Sequence, residues 1–181
     1  MRVLTWKLSK ARVWLNELPS YNYQAIDTIE QKRDFSETKR VTNRECAIEL
    51  YNPVGPRAYY GAIGASFTSQ KTGNFIIQVP VSIDKGPLLD NSLAGKSDEV
   101  YIGLPLAYVD GVLSGFISDN TIQQLGSGTL RINNAAHGSI GSSLWLFRVL
   151  SRVLSNLFLY ENSSVSDEFF IKLISTELLQ R

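Results

Sequence analysis

The stretch Thr129-Leu130-Arg131-Ile132-Asn133-Asn134-Ala135-Ala136-His137-Gly138-Ser139-Ile140-Gly141-Ser142-Ser143-Leu144-Trp145-Leu146-Phe147 passes from a strand signal through a loop signal into a helix. Thr129 to Ile132 follow a Gly-Ser-Gly turn and predict a short strand. The small residues around His137 predict a loop. Beyond it Leu146, Phe147, Leu150, Val153, Leu154, Leu157 and Phe158 recur at three- and four-residue spacing, the stripe of an amphipathic helix. Ser142 or Ser143 is placed to cap that helix by accepting a backbone N–H bond, and Arg148 and Arg152, four apart, share another face. A strand delivering the chain to so clear a helix predicts an α+β fold.

Reading outward from this stretch, Gly103-Leu104-Pro105 suits a helix start, with Leu104, Tyr108, Val112 and Phe116 on one face and an end near Ser118. Cys46, Ile48 and Leu50 alternate with Glu45, Ala47 and Glu49, so Arg44 to Leu50 predict a strand with one buried face. Asn52-Pro53-Val54-Gly55-Pro56-Arg57 predicts a chain reversal. Tyr59 to Thr68 and Asn74 to Ile83 carry β-branched and aromatic residues, and Lys71 to Asn74 supply a turn, so the simplest expectation is an antiparallel pair. Lys85 to Asp98 has no period and predicts an exposed loop. Toward the N-terminus, Val3 to Leu8 predict a short strand, and Tyr23 to Lys39 show weak helical spacing at Ala25, Ile26 and Ile29. A last helix is expected from Asp167 to Leu179, with Ser166 as its cap and Asp167 and Glu168 in the turn where the helix dipole favours anions. Composition shifts only after the first 40 residues, so residues 1–40 are expected to be an N-terminal extension of one unit, with 41–160 the core and 161–181 a C-terminal helix.

Hydrophobic residues make up 44% of the 181 and charged residues 19%, the balance of a chain that packs a core. A net charge of +1 provides no long-range attraction for phosphate, so nucleic-acid binding has to be argued from local patches. The single cysteine, Cys46, rules out an intrachain disulfide and a Cys-based zinc centre, and fits a reducing cytoplasm. No apolar run reaches about 18 residues, and the longest candidate, Leu144 to Tyr160, is interrupted by Arg148 and Arg152, so no membrane span is expected. Lys7 and Lys10 break the N-terminus before a signal-peptide core is reached.

Asp90-Asn91-Ser92-Leu93-Ala94-Gly95-Lys96-Ser97 imitates a phosphate-binding loop, but Asp90 puts a negative charge where the first glycine belongs, and no bound nucleotide is expected. Glu45 and Glu49 lie about 13 Å apart along a strand, too far for paired glycosidase carboxylates, and predict a solvated strand face. His137 is the only histidine, which excludes a His-rich metal cluster, and no cofactor is expected. As a general base it would have to draw on Ser139, Ser142 or Ser143 with Asp110 or Asp119, without any nucleophile-elbow pattern in support. The bland reading of His137 is a hydrogen-bonded turn residue. The sharper one is a ring protruding among Ala135, Ala136, Gly138 and Ser139, able to stack on a base or bond a phosphate. Arg148 and Arg152 would either solubilise the helix or clamp phosphate.

Four short segments, in this order, resemble domain IV of the translational GTPase elongation factor G. Val41 to Ile48 is similar to its opening strand, with Arg44-Glu45 in place of the family's Arg-Glu-Thr-type motif. Val54 to Gly61 resembles its Gly-Gly-Arg-Gly-Gln-Tyr-Gly-type turn at Gly55, Arg57, Tyr60 and Gly61. Gly103 to Tyr108 resembles its Ile-Pro-x-x-Tyr helix entrance, and His137 to Phe147 its His-x-Val-Asp-Ser-Ser-x-x-x-Phe, retaining His137, Ser142, Ser143 and Phe147. Pro56 replaces a family glycine, and Gly141 stands where the family has aspartate. The resemblance covers residues 41 to 158. It implies a ribosomal protein S5 domain 2-like core: a mixed or antiparallel sheet, helices packed on one face, and a left-handed βαβ crossover against the general rule. It also implies that the Gly55–Arg57 turn and the His137 loop meet at one end, the end that reaches RNA in the ribosomal decoding centre. The GTPase itself has no room in this chain.

Three functions follow as expectations. The first is a binding module for ribosome or RNA using Arg57, His137, Ser139, Ser142, Arg148 and Arg152. The second is a protein-interaction module, an adaptor or immunity-type inhibitor that keeps only the fold. The third is a hydrolase using a serine near His137.

Overall fold

The computed structural model describes residues 1–34, 42–70, 73–118, 120–160 and 165–180. Among these are eight strands and three α-helices: β1 (Arg2–Trp6), β2 (Ser9–Leu15), β3 (Asp27–Asp34), β4 (Arg44–Val54), β5 (Arg57–Ser69), β6 (Asn74–Val81), β7 (Val100–Ile102), α1 (Leu106–Ser118), β8 (Gly128–Gly138), α2 (Leu144–Leu157) and α3 (Asp167–Leu179). The strands form one mixed sheet in the order β1-β2-β4-β5-β8-β6-β3, with β7 on the C-terminal half of β8. The fold is therefore α+β.

The two long hydrophobic strands of the middle region are not partners. β8 lies between them, antiparallel to β5 and parallel to β6, so the antiparallel pair expected from a turn at residues 71–74 does not form; residues 71 and 72 lie outside the described residues. Composition explains the insertion. Leu130, Ile132 and Ala135 of β8 are buried in the main core while Ala136 is buried in a second cluster, and a strand buried on both faces belongs in the middle of a sheet. Its parallel pairing with β6 requires a crossover, which α1 supplies.

The first 34 residues build both sheet edges. β1 and β2 form a hairpin against β4, and β3 pairs with the outer side of β6. The weak helical spacing of residues 23–39 gives way to period two: Ile29, Gln31 and Arg33 are half-buried while Thr28, Glu30, Lys32 and Asp34 are exposed, an edge strand protected by charge. Residues 35–39 of that stretch lie outside the described residues.

The helix signals translate directly. Ser143 caps α2, its Oγ accepting from Leu146 N at 3.2 Å, and Ser166 caps α3. α2 buries Leu146, Phe147, Leu150, Val153, Leu154 and Leu157 over β4 and β5. α1 runs alongside it, with Gly111 against Leu144 and Gly115 against Arg148. Arg44, at the start of β4, is buried beneath the far end of α2, where its guanidinium donates to Phe158 O at 2.8 Å, to Tyr160 O and to Asn16 Oδ1 at 3.1 Å. A cation at a helix C-terminus meets carbonyls that have no partner within the helix.

The opposite sheet face is covered in part by residues 85–99. That segment is irregular, as expected, apart from one helical turn at Gly95–Ser97, but it is not simply exposed: Ala94 is buried against Tyr60, Ala62, Val100 and Ala136. Glu49 also lies under it and is 2% exposed, which corrects the expectation of a solvated strand face; Glu45 alone keeps that character.

Candidate functional site

Strand register brings four chain segments to one end of the sheet. Lys10 pairs with Tyr51, Val54 with Arg57, Gly61 with His137 and Val100 with Gly138. The β1–β2 turn, the β4–β5 turn, the approach to β7 and the segment leading into α2 therefore emerge together, beside the start of α2 itself. A cleft at this end is lined by Gly55, Pro56 and Arg57 on one side and by Asp98, Ile140, Gly141, Ser142 and Ser143 on the other.

Backbone polar groups that a loop would otherwise leave open are satisfied here by the chain's own side chains. Asp98 accepts from Gly141 N at 2.7 Å and from Ile140 N at 3.1 Å. Ser142 Oγ donates to Tyr60 O at 2.6 Å and accepts from Gly138 N at 2.9 Å, while Tyr60 N donates to Gly141 O at 3.0 Å. Ser139 N donates to Glu99 O at 2.8 Å. Charge-assisted bonds from two successive amides to one carboxylate fix the turn ahead of a helix N-terminus. Gly141 is required by close approach: a Cβ there would sit 2.7 Å from Ala58 O and 3.0 Å from Tyr60 N. Gly141 therefore leaves no room for a side chain, and the carboxylate that holds this turn comes from Asp98, in another segment.

His137 is not in a loop. β8 runs on to Gly138, because Ala135 and Ala136 are small enough to be buried on the two faces of a crowded sheet. The imidazole is 5% exposed, with Nε2 facing Asp84 O at 2.8 Å and Nδ1 facing Gly103 O at 3.2 Å. Tyr101 and Tyr108 flank it at ring-centroid distances of 5.8 and 5.6 Å. Burial first, then the carboxylates of Asp84 and Asp98, push the Tyr108 phenol above its ordinary range. The ring expected to protrude is a packed core residue, and its nitrogens face backbone carbonyls rather than the hydroxyls of Ser139, Ser142 or Ser143.

Arg57 and Ser142 thus converge on the cleft, with Ser139 on the adjoining groove beside Asp98 and Ile140. Arg148 and Arg152 do not join them. Arg148 Nε donates to Ser114 Oγ at 3.0 Å between α1 and α2, and Arg152 pairs with Glu177 of α3 at 3.0 Å and with Gln180. Asp110 is exposed on α1, and Asp119 lies outside the described residues. The imitation phosphate loop forms a single helical turn whose amides of Gly95 and Ser97 bond its own carbonyls at Ser92 and Ala94. Among the described residues no group of three or more His, Cys, Asp or Glu is placed to hold a metal, and no helix is long and apolar enough to cross a membrane.

Sequence reasoning missed Asp98 and Ile140. Asp98 sits just after the imitation phosphate loop, and nothing local signals that its carboxylate reaches a turn 42 residues on. Ile140, an isoleucine between a serine and a glycine, is 85% exposed, and that break in a polar loop was a usable signal. No protein-family model, curated protein or solved structure matches the chain.

Proposed function

We propose that the chain is a binding domain without catalytic chemistry of its own, and that it holds a protein partner at the end where the Gly55–Arg57 turn meets the Ser139–Ser143 segment. One observation carries this reading: the surface there presents exposed aliphatic side chains on a backbone already fixed by internal hydrogen bonds. Ile140 is 85% exposed, Val54 49% and Leu144 39%, with Arg57 among them. Apolar groups held in place lose little freedom when covered, and arginine beside them fits the composition of protein interfaces.

A second reading, contact with ribosomal RNA, is supported by the sheet order β4-β5-β8-β6 with β6 and β8 parallel across α1, an arrangement compatible with the S5 domain 2-like core that the elongation factor resemblance implies. The gathering of the two tip segments at one end supports it too. The carboxylates of Asp98 and Glu99 at that end, and the engagement of Arg148 and Arg152 elsewhere, weigh toward the protein partner.

One pair of variants separates the two. Affinity capture with the tagged chain is expected to recover a stoichiometric protein that Ile140→Asp loses while the fold persists. Retention of that protein by Ile140→Asp would defeat the protein reading. Ribosome co-sedimentation that falls steeply with salt and disappears in Arg57→Glu would establish the RNA reading instead.

A further inference from the structure

The segment from Pro87 to Val100 is closed at its base and lightly held at its crown. Its ends bond one another, Leu89 N donating to Val100 O at 2.8 Å and Ile102 N to Pro87 O at 2.7 Å. Between them, residues 90–97 form an arch with internal bonds from Gly95 N to Ser92 O and from Ser97 N to Ala94 O. Among the described residues, the arch makes two hydrogen bonds to the rest of the chain, both at one ion pair. Leu93 N donates to Glu49 Oε1 at 2.7 Å, and Arg12 donates to Asn91 O at 2.7 Å. Arg12 also pairs with Glu49 Oε2 at 2.9 Å, and the Tyr60 hydroxyl donates to Glu49 Oε1 at 2.9 Å. Ala94 is the one buried residue of the arch, with Leu93 half-buried beside it.

We propose that residues 90–97 are a flap, hinged at Leu89 on one side and at Asp98 on the other and latched by Glu49 and Arg12, that opens while the sheet beneath stays folded. The closed base already bears the entropy cost of forming the loop, so opening releases only the crown. The latch is poised because removing Glu49 and Arg12 from water offsets much of their mutual attraction, and opening restores that hydration. An open flap uncovers a polar cradle of Glu49, Arg12 and the Tyr60 hydroxyl. Asp98 follows the flap directly and holds the amides of Ile140 and Gly141, so flap position is communicated to the cleft of Arg57 and Ser142. The regulatory value of that communication rests on the proposed binding reading of this end; the flap itself does not.

Amide hydrogen exchange on the intact wild-type chain tests the flap without any variant. The amide of Leu93 is expected to exchange at least about tenfold faster than those of Ala47 to Leu50 in β4, by local opening. Glu49→Gln, which breaks the ion pair, is expected to speed Leu93 by about a further tenfold with β4 unchanged. Equal rates for Leu93 and β4 in the wild-type chain, or uniform acceleration in the variant, would overturn the flap. If Ile140 and Gly141 accelerate with Leu93, the communication stands, and if they do not, it falls. Loss of partner capture bears on the binding reading alone.

Discussion

Arg44 shows how a single residue assigned to a motif acquires its role from packing. At 6% exposed it carries charge into the molecule, and its guanidinium is matched by Asn16 Oδ1 and the carbonyls of Phe158 and Tyr160. Removing it strands the buried carbonyl of Phe158 at the end of α2 and leaves those of Tyr160 and Asn16 to water. Arg44→Ala is expected to cost about 3 kcal/mol, with a lowered urea midpoint and an unchanged slope. A loss under about 1 kcal/mol would show that water replaces the guanidinium without penalty. The sequence marked Arg44 only as part of an Arg-Glu pair at a strand start; its partners lie 28 to 116 residues away. His137 went the opposite way, singled out by its neighbours and then buried by its strand.

At the scale of elements, the α1–α2 contact depends on Gly111 and Gly115. A Cβ on Gly111 would overlap the Leu144 carbonyl oxygen, and one on Gly115 the Arg148 carbonyl oxygen, which is rigid backbone in both cases. Alanine favours a helix over glycine by about 1 kcal/mol, whereas forcing a packed interface apart costs about 1–3 kcal/mol and more when backbone must move. The steric term wins. Gly111→Ala is expected to lower stability by about 2 kcal/mol or more in thermal melts, and a raised Tm would refute the close approach. Helices were legible because their stripes and caps are local. Strand pairing was not: β5 and β6 each looked complete, and nothing in either shows that β8 divides them.

For the whole molecule, buried and half-buried ionisable groups set an alkaline limit: Cys46 and Tyr60 are buried, Tyr21 and Tyr23 half-buried. Burial pushes the Cys46 thiol from 9.0 up to about 11, and raises the phenols of Tyr21, Tyr23 and Tyr60 above their ordinary 10.0, with Glu49 adding to the rise at Tyr21 and Tyr60. Above pH 9 the unfolded chain releases these protons first, so the native state holds more of them and stability falls with rising pH. Below pH 9 these four groups contribute no slope. Denaturant unfolding at stepped pH is expected to show a plateau followed by decline from about pH 9 upward. Phenolate absorbance should appear late for those tyrosines and rise abruptly on unfolding. A flat profile through pH 11 would contradict the burial of Cys46 and Tyr60.

The sequence by itself determined the α+β class, the three helices, the caps of α2 and α3, and the reversal at Gly55–Pro56, because each depends on residues within a few positions of one another. Only the tertiary structure decided the strand order, the burial of His137 and Glu49, and the meeting of Asp98 with Ile140 and Gly141. Those features depend on which hydrogen-bonding edge each strand finds and which carboxylate reaches an unpaired amide. Such choices are made between segments far apart in the chain, where local periodicity carries no information.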